Sequence, residues 1–412
     1  MDFLKKLAKL HRGTGAEHRI KPVLDKLNAA ILKSRISADA IVGGSVAKGT
    51  YLPKFDCDIF VRFDMKYVDK SISDLLEKIL SVFPKVERVH GSRDYFKFVS
   101  SGVEYEIIPV LHIDNAESAH NVTDVSPLHV TWVKKHINGM GDDVVLAKLF
   151  CKAQGTYGAE SYINGFSGYM LEILVIHYGG FIGFLQGISK WKPKHVIDHS
   201  KFYANHEDVF SKMNKAKIES PLILIDPVQK DRNAASALSH ENFAKMILAA
   251  KNYLSSPSVS YFKKVEFSLA LIKKKAKECS GELVLVELSL ETGKRDVVGS
   301  KIVKCFEHLR SELEKNEFKI IDCGWHWEKK ALLWYIAYPK ELPKLRSHQG
   351  PMVYSSTEDI KRFMDKHKSC RVENYRMICN VKRKFSTPKT LIKSLVKEEY
   401  FTDKVKKARL LK

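Results

Sequence analysis

The chain has 412 residues, 44% of them hydrophobic, and carries 69 Lys and Arg against 48 Asp and Glu for a formal net charge of +21. That length exceeds one ordinary core and predicts two to four domains, the apolar content excludes a disordered chain, and the charge excess predicts a polyanionic partner. Cys57, Cys151, Cys279, Cys305, Cys323, Cys370 and Cys379 are odd in number and lack metal-finger spacing, which argues for reduced thiols in the cytoplasm rather than a disulfide framework or structural zinc site.

The Lys-rich, amphipathic start from Met1 to Arg12 is unlike a signal core, and no stretch reaches about 18 uninterrupted apolar residues, so no membrane partner is expected. From Lys5 to Leu32, apolar Leu7, Leu10, Ile20, Val23, Leu24, Leu27 and Ile31 recur at helical spacing around a break near Gly13 to Gly15. This helical lead-in runs into Gly43-Gly44-Ser45-Val46-Ala47-Lys48-Gly49-Thr50, a small-residue turn able to cradle phosphate on exposed backbone N–H groups. Asp56-Cys57-Asp58-Ile59-Phe60-Val61 then reads as a strand, with Asp56 and Asp58 on one side and Cys57 and Ile59 on the other. Magnesium binds through one or two carboxylates plus substrate phosphates, and a third carboxylate completes a two-metal site. The spacing points to nucleotidyl transfer. Ile72 to Phe83 reads as an amphipathic helix, and Val86 to His90, Tyr95 to Ser100 and Val103 to Val110 as strands broken by Gly91 and Gly102.

After Ser126-Pro127 the pattern turns helical, with Leu128 to Ile137, Asp143 to Gln154 and a buried-looking Tyr169 to Tyr178 that starts at Ser167 or Gly168 and stops at Gly179-Gly180. A short strand, Leu222 to Ile225, precedes Asp226-Pro227, and Ala234 to Tyr253 is helical again. A third part alternates: strand-like Val259 to Leu271, Gly281 to Glu287 and Lys319 to Trp325, a helix from Val297 to Asn316, a hairpin from Trp325 to Trp327 into Ala331 to Tyr338, and a helix from Thr357 to His367. Aromatic and basic residues interleave at Trp325, His326, Trp327, Lys329 and Lys330 and from Lys361 to Arg371, a pattern equally suited to stacking on bases or to a core under a charged face. Val381 to Lys412 is rich in Lys and Arg, with Leu391, Ile392, Leu395, Val396 and Tyr400 at helical spacing.

Gly43-Gly44-Ser45 with Lys48-Gly49-Thr50 and the Asp-x-Asp run resembles the signature of the nucleotidyltransferase superfamily that includes DNA polymerase beta. Thr156-Tyr157-Gly158-Ala159-Glu160, Gly165-Phe166-Ser167-Gly168-Tyr169, Glu172 to Gly179 and Asp226-Pro227-Val228 with Arg232-Asn233 are similar to blocks of the archaeal, class I CCA-adding enzymes. The resemblance implies an α+β multidomain fold: a polymerase-beta-like head of mixed sheet and helices (1–137), a helical neck completing the nucleotide pocket (138–257), an α+β tRNA-binding body (258–380) and a basic helical tail (381–412). It further implies template-independent addition of cytidine, cytidine and adenosine to the 3′ end of tRNA, with tRNA, ATP and CTP as partners and magnesium as cofactor. Asp56, Asp58 and Glu106 are then the catalytic metal ligands, Glu106 standing where the family usually has Asp and Glu104, of the same facing, being the alternative. Ser45, Lys48, His129, Lys148, Tyr157 and Arg232 are the expected nucleotide contacts, Arg232 for the base, while Glu172 and His177 read as structural. An apolar stripe in the second or third part could pair two chains as a homodimer. A poly(A) polymerase or oligoadenylate-type synthetase on the same head, and a non-catalytic tRNA-binding factor, are the alternative readings.

Overall fold

The computed structural model describes residues 2–264, 266–367 and 369–411. Expectations touching Met1, Val265, Lys368 or Lys412 lie, at those four positions, outside the described residues. The chain forms two compact units, Met1–Val265 and Glu266–Lys412, so the expected head and neck pack as one body.

The first unit opens with the expected lead-in as two helices, α1 (Asp2–His11) and α2 (Ala16–Ser34). Ala16, Ile20, Val23, Leu27 and Ile31 of α2 are buried at helical spacing, each large aliphatic side chain contributing about 1.5–3 kcal/mol of burial. Next come β1 (Ala38–Val42), a strand the sequence pattern did not announce, the short helix α3 (Gly44–Ala47) in place of an open turn, β2 (Asp56–Phe63), α4 (Ile72–Leu80), β3 (Glu87–Val89), β4 (Tyr95–Ser100) and β5 (Val103–Leu111). The five strands form one mixed sheet in the order β1-β2-β5-β4-β3. Only β2 and β5 run parallel, and α4 with β3 and β4 makes the crossover that parallel neighbours require.

The helical part holds α5 (Ser126–His136), α6 (Gly141–Ala153), α7 (Gly168–Tyr178), α8 (Phe181–Ile188), β6 (His195–Ile197), α9 (His206–Lys212), β7 (Leu222–Leu224) and α10 (His240–Ser255). Ser167 caps α7 by accepting from the Met170 N–H, and Gly179 ends it at φ +70°. Every residue from Met170 to Ile176 is buried, as expected of a helix apolar on every side but that of Glu172. Among the described residues no single helix is long and apolar enough to cross a membrane. The helix expected from Ala234 begins only at His240, because Ser239 is its cap, while Ala234 donates to the Leu224 carbonyl at 2.8 Å.

The second unit contains α11 (Leu269–Glu278), β8 (Glu282–Ser289), α12 (Arg295–Lys315), β9 (Lys319–Trp327), β10 (Ala331–Tyr338), β11 (Leu345–Met352), α13 (Thr357–Lys366), β12 (Arg371–Glu373), β13 (Arg376–Lys382), α14 (Pro388–Leu395), α15 (Glu399–Thr402) and β14 (Lys407–Leu410). Its sheets are β14-β8-β10-β9 and β11-β13-β12. The strand expected over Val259 to Leu271 is instead a 3-10 turn, Val259–Phe262, and the start of α11, because Ser268 accepts from the Leu271 N–H and caps a helix. The segment expected as a separate basic helical tail is built into this unit. Leu391, Ile392, Leu395 and Phe401 are buried in its core, and β14 pairs antiparallel with β8. The helical spacing there marks a core face, and the basic residues lie around it.

Candidate active site

Residues on the strand pair β2 and β5 start the site. Cys57, Ile59, Val61 and Phe63 point into the core, which turns Asp56 and Asp58 to the opposite face of the sheet. Parallel register sets Asp56 beside Glu104 and Asp58 beside Glu106, so four carboxylates share that face. Lys97 of β4 is the register partner of Glu106 and reaches both glutamates, with Nζ 2.5 Å from Glu106 Oε1 and 3.0 Å from Glu104 Oε1. Burial disfavours the Lys97 ammonium, yet these two bonds outweigh it and hold its pKa above the ordinary value.

Asp58 carries the strain of the group. Burial first, then the charges of Asp56 and Glu106, raise its pKa to about 7, with Lys48 and Lys97 offsetting only part. A carboxylate set with this excess of negative charge has the chemistry that takes a divalent cation. Among the described residues no three such donors converge at ligating distance.

Gly44 couples these carboxylates to the small-residue turn. It adopts φ +56°, and a Cβ there would lie 1.9 Å from Asp58 Oδ2, so the carboxylate occupies the space that a side chain would need. Gly43, extended, donates to the Asp58 carbonyl at 2.7 Å and ties the turn to β2. Ser45 sits inside α3, its carbonyl accepting from the Thr50 N–H at 3.0 Å.

A cavity of about 370 Å³ opens next to Gly44, and Lys48, Thr123, His129, Tyr169, Gln229 and Arg232 are among its lining residues. Tyr169 is its centre: His129 lies 4.3 Å away ring to ring, Lys48 Nζ stands 5.7 Å and the Arg232 guanidinium 5.9 Å from its ring. Behind the cavity Asp226, fully buried, organises the same residues. It accepts from the Tyr169 hydroxyl at 3.0 Å and the Val228 N–H at 2.9 Å, pairs with Arg232, and lies 3.0 Å from His129 Nε2. Burial would raise the Asp226 pKa, but His129, Arg232 and the Val228 N–H pull it down to about 2. Arg232 is thus held by a carboxylate on one side and an aromatic ring on the other.

Lys148 and Tyr157 are not among the cavity's lining residues. They lie side by side against Gly168, where an added Cβ would come within 3.4 Å of the Tyr157 hydroxyl and 3.8 Å of Lys148 Nζ. Lys148 donates to the Thr50 carbonyl at 2.8 Å, and burial lowers its pKa to about 8 despite the charge of Glu172. Lys152 stands 4.9 Å over the Tyr157 ring. The field of Asp56 reaches Lys148, Lys152 and Tyr157, which places this group on the carboxylate side.

The sequence pattern therefore named most of the residues gathered here and passed over those that hold them. Tyr169 and Asp226 stood inside quoted motifs without a role, and the signal was an acid and a phenol kept next to site residues. Lys97 gave no signal, because a strand lysine reads as solvated until the register sets it opposite Glu106.

With the geometry in place, three family matches cover most of the chain. Residues 24–115 match the family described as nucleotidyltransferase domain, 142–263 that of tRNA nucleotidyltransferase, second domain, and 283–408 that of CCA-adding enzyme, C-terminal domain. The chain is 37% identical over 372 residues to the CCA-adding enzyme of Nanoarchaeum equitans, covering 89% of this chain and 90% of that protein. It is 30% identical over 390 residues to the CCA-adding enzyme of Sulfolobus acidocaldarius, covering 92% and 88%. Among solved structures, a cytoplasmic RNA terminal U-transferase aligns with TM-score 0.51 at 16% identity over 65% of this chain and 98% of that one. The Cid1 poly(U) polymerase aligns with TM-score 0.51 at 15% identity over 64% and 98%, a likeness of fold.

Proposed function

The chain belongs to the CCA-adding enzyme family of nucleotidyltransferases, and from that membership we propose that it adds cytidine, cytidine and adenosine to the 3′ end of tRNA from CTP and ATP, releasing pyrophosphate, and repairs truncated ends. The observation that carries the reading is the strand-face carboxylate set, Asp56, Asp58 and Glu106, with Asp58 against Gly44, which itself lines a cavity together with Lys48, His129 and Arg232. The excess of positive charge, +21, suits a tRNA partner.

Nucleotidyltransferases generally use divalent metal ions, and here Asp56, Asp58 and Glu106 would hold magnesium. Bound there, magnesium would lower the pKa of the attacking 3′-hydroxyl and stabilise charge at the α-phosphate. Ser45 presents its N–H and hydroxyl to the triphosphate, and Lys48 and Lys148 supply point charges to the phosphates. His129 contacts a phosphate or ribose oxygen, Tyr157 the ribose, and the Arg232 fork donates to acceptors on cytosine and adenine, its aim fixed by Asp226 and Tyr169. A cytoplasmic location and pairing of two chains belong to the same proposal, the second measured by light scattering.

An open-ended poly(A) polymerase is the weaker reading, since residues 283–408 match the CCA-adding C-terminal domain. The test is a gel of tRNA lacking its 3′ end, extended with CTP alone, ATP alone and both. Three nucleotides with mixed use support CCA addition, and a long adenosine tail from ATP alone overturns it. Asp58→Ala is expected to abolish incorporation while tRNA binding persists, and full activity in that variant sinks the metal assignment.

A further inference from the structure

The sheet β11-β13-β12 and helix α13 are held by little apolar burial. None of α13 is buried, all of β12 is exposed, and in β13 only Met377, Ile378 and Cys379 are buried. Small elements with so thin an apolar core are commonly fixed by a cross-link or a metal. Two imidazoles and two thiols stand where those elements meet.

Three of them form one row across the sheet. His348 of β11 is the register partner of Cys379 of β13. On the other side, pairing of Arg371 with Ile378 brings Cys370, the residue just before β12, opposite Cys379. Register partners share a face, and the helix lies on this one: Phe363 of α13 stacks on His348 with ring centroids 5.7 Å apart. His367, the last cap of α13, closes the group, with its ring 5.0 Å from that of His348 and its carbonyl accepting from the Cys370 thiol at 3.2 Å. Burial first, and then the neighbouring Cys370 thiol, raise the pKa of Cys379. Two imidazoles bound to one tetrahedral zinc place their ring centroids about 5 Å apart, and two thiolates place their sulfurs just under about 4 Å apart. The separation of the two imidazole rings suits one ion. The four donors stop short of converging on a single point, a condition the carboxylates of Asp56, Asp58 and Glu106 share.

We propose that His348, His367, Cys370 and Cys379 form a structural zinc site that ties β11, α13, β12 and β13 together. Cys2His2 is a closed, four-coordinate set without room for substrate, so the role is folding energy rather than catalysis. The ligands come from four successive elements, which is why scattered cysteine spacing in the sequence argued against a zinc site.

The test uses the full chain purified without chelator, with zinc measured by mass spectrometry and free thiols by titration. One zinc per chain that survives gel filtration is expected. Cobalt(II) in its place is expected to give the visible bands of a four-coordinate thiolate site. Cys379→Ser and the more exposed His367→Gln are each expected to lose the zinc, while Asp58→Ala keeps it and so separates this ion from the catalytic one. A chain that binds neither added zinc nor cobalt, a Cys370–Cys379 disulfide in its place, or zinc retained in both ligand variants overturns the proposal.

Discussion

Lys48 Nζ lies 2.5 Å from Glu172 Oε2, joining the small-residue turn to helix α7 across 124 residues of sequence. The other oxygen, Oε1, accepts from the Thr50 hydroxyl at 2.6 Å and lies 3.8 Å from Lys148 Nζ. The Glu172 side chain is 1% and the Lys48 side chain 9% exposed, so one buried carboxylate anchors both Lys48 and Lys148. Removing one member of a buried pair strands the other charges, at a cost of about 3–5 kcal/mol. Glu172→Ala is expected to lower the stability of the first unit by that amount, and Glu172→Gln by less because Thr50 keeps an acceptor. Urea unfolding measures it. A loss under about 1 kcal/mol, the scale of exposed pairs, would mean that water replaces the carboxylate.

Lys148 makes the same site sensitive to pH. Burial lowers its pKa from 10.5 to about 8. The unfolded chain holds this proton up to about pH 10.5 while the folded chain releases it near 8, so the contribution of Lys148 to stability is present above 10.5 and lost as pH falls through 8. With Lys148 in the proposed role at the triphosphate, nucleotide binding runs the other way, since the ammonium is lost above about pH 8. kcat/KM for CTP is expected to fall as pH rises through about 8, and this limb is expected to vanish in Lys148→Gln. An unchanged limb in the variant assigns the titration to another group.

Strand and helix periods carried most of the fold in the sequence. Alternation at Asp56 to Phe60 fixed which face holds the carboxylates, and the Ser167 and Gly179 ends of α7 were readable from their residue types. What the sequence could not display was register and burial. The pairing of Glu106 with Lys97 exists only once β4 meets β5, and Glu172 reads as a helix acid until Lys48 arrives from 124 residues away. Val259 to Leu271 misled because aromatic alternation serves a 3-10 turn packed on a core as well as it serves a strand.

Gly44 is the position where backbone freedom and catalysis meet. A Cβ there lies 1.9 Å from Asp58 Oδ2 on a residue at φ +56°, so Gly44→Ala must displace the carboxylate or the turn, with backbone strain of about 1–2 kcal/mol. A shift of about 1 Å in a reacting group costs about 100-fold in rate. kcat is expected to fall by that order with the melting temperature only slightly lowered, and a variant with normal kcat dissociates Gly44 from Asp58 placement.

Asp226 holds Arg232 and Tyr169 and lies beside His129. Asp226→Asn keeps the shape but removes the charge that holds Arg232 and His129. Hydrogen bonds to charged groups contribute about 1.5–3 kcal/mol, so KM for CTP and ATP is expected to rise about 10- to 100-fold. Misincorporation of UTP and GTP, measured by product sequencing, is expected to rise with it. Unaltered fidelity together with unaltered KM would leave Asp226 a core residue only.

Glu106 and Glu104 compete for the third ligand position, and the strand register separates them. Glu106 stands beside Asp58, raises its pKa and is less exposed, while Glu104 stands beside Asp56 at the open end of the strand. Glu106→Gln is therefore expected to abolish incorporation at saturating magnesium, and Glu104→Gln to retain most of it. Lys97→Met frees both glutamates from their bonds at 2.5 and 3.0 Å. With that counter-charge gone, the magnesium concentration needed for half-maximal rate is expected to fall, because the cation no longer competes with the ammonium for Glu106. Magnesium titrations of the three variants decide it: loss of activity in Glu104→Gln but not in Glu106→Gln exchanges their roles.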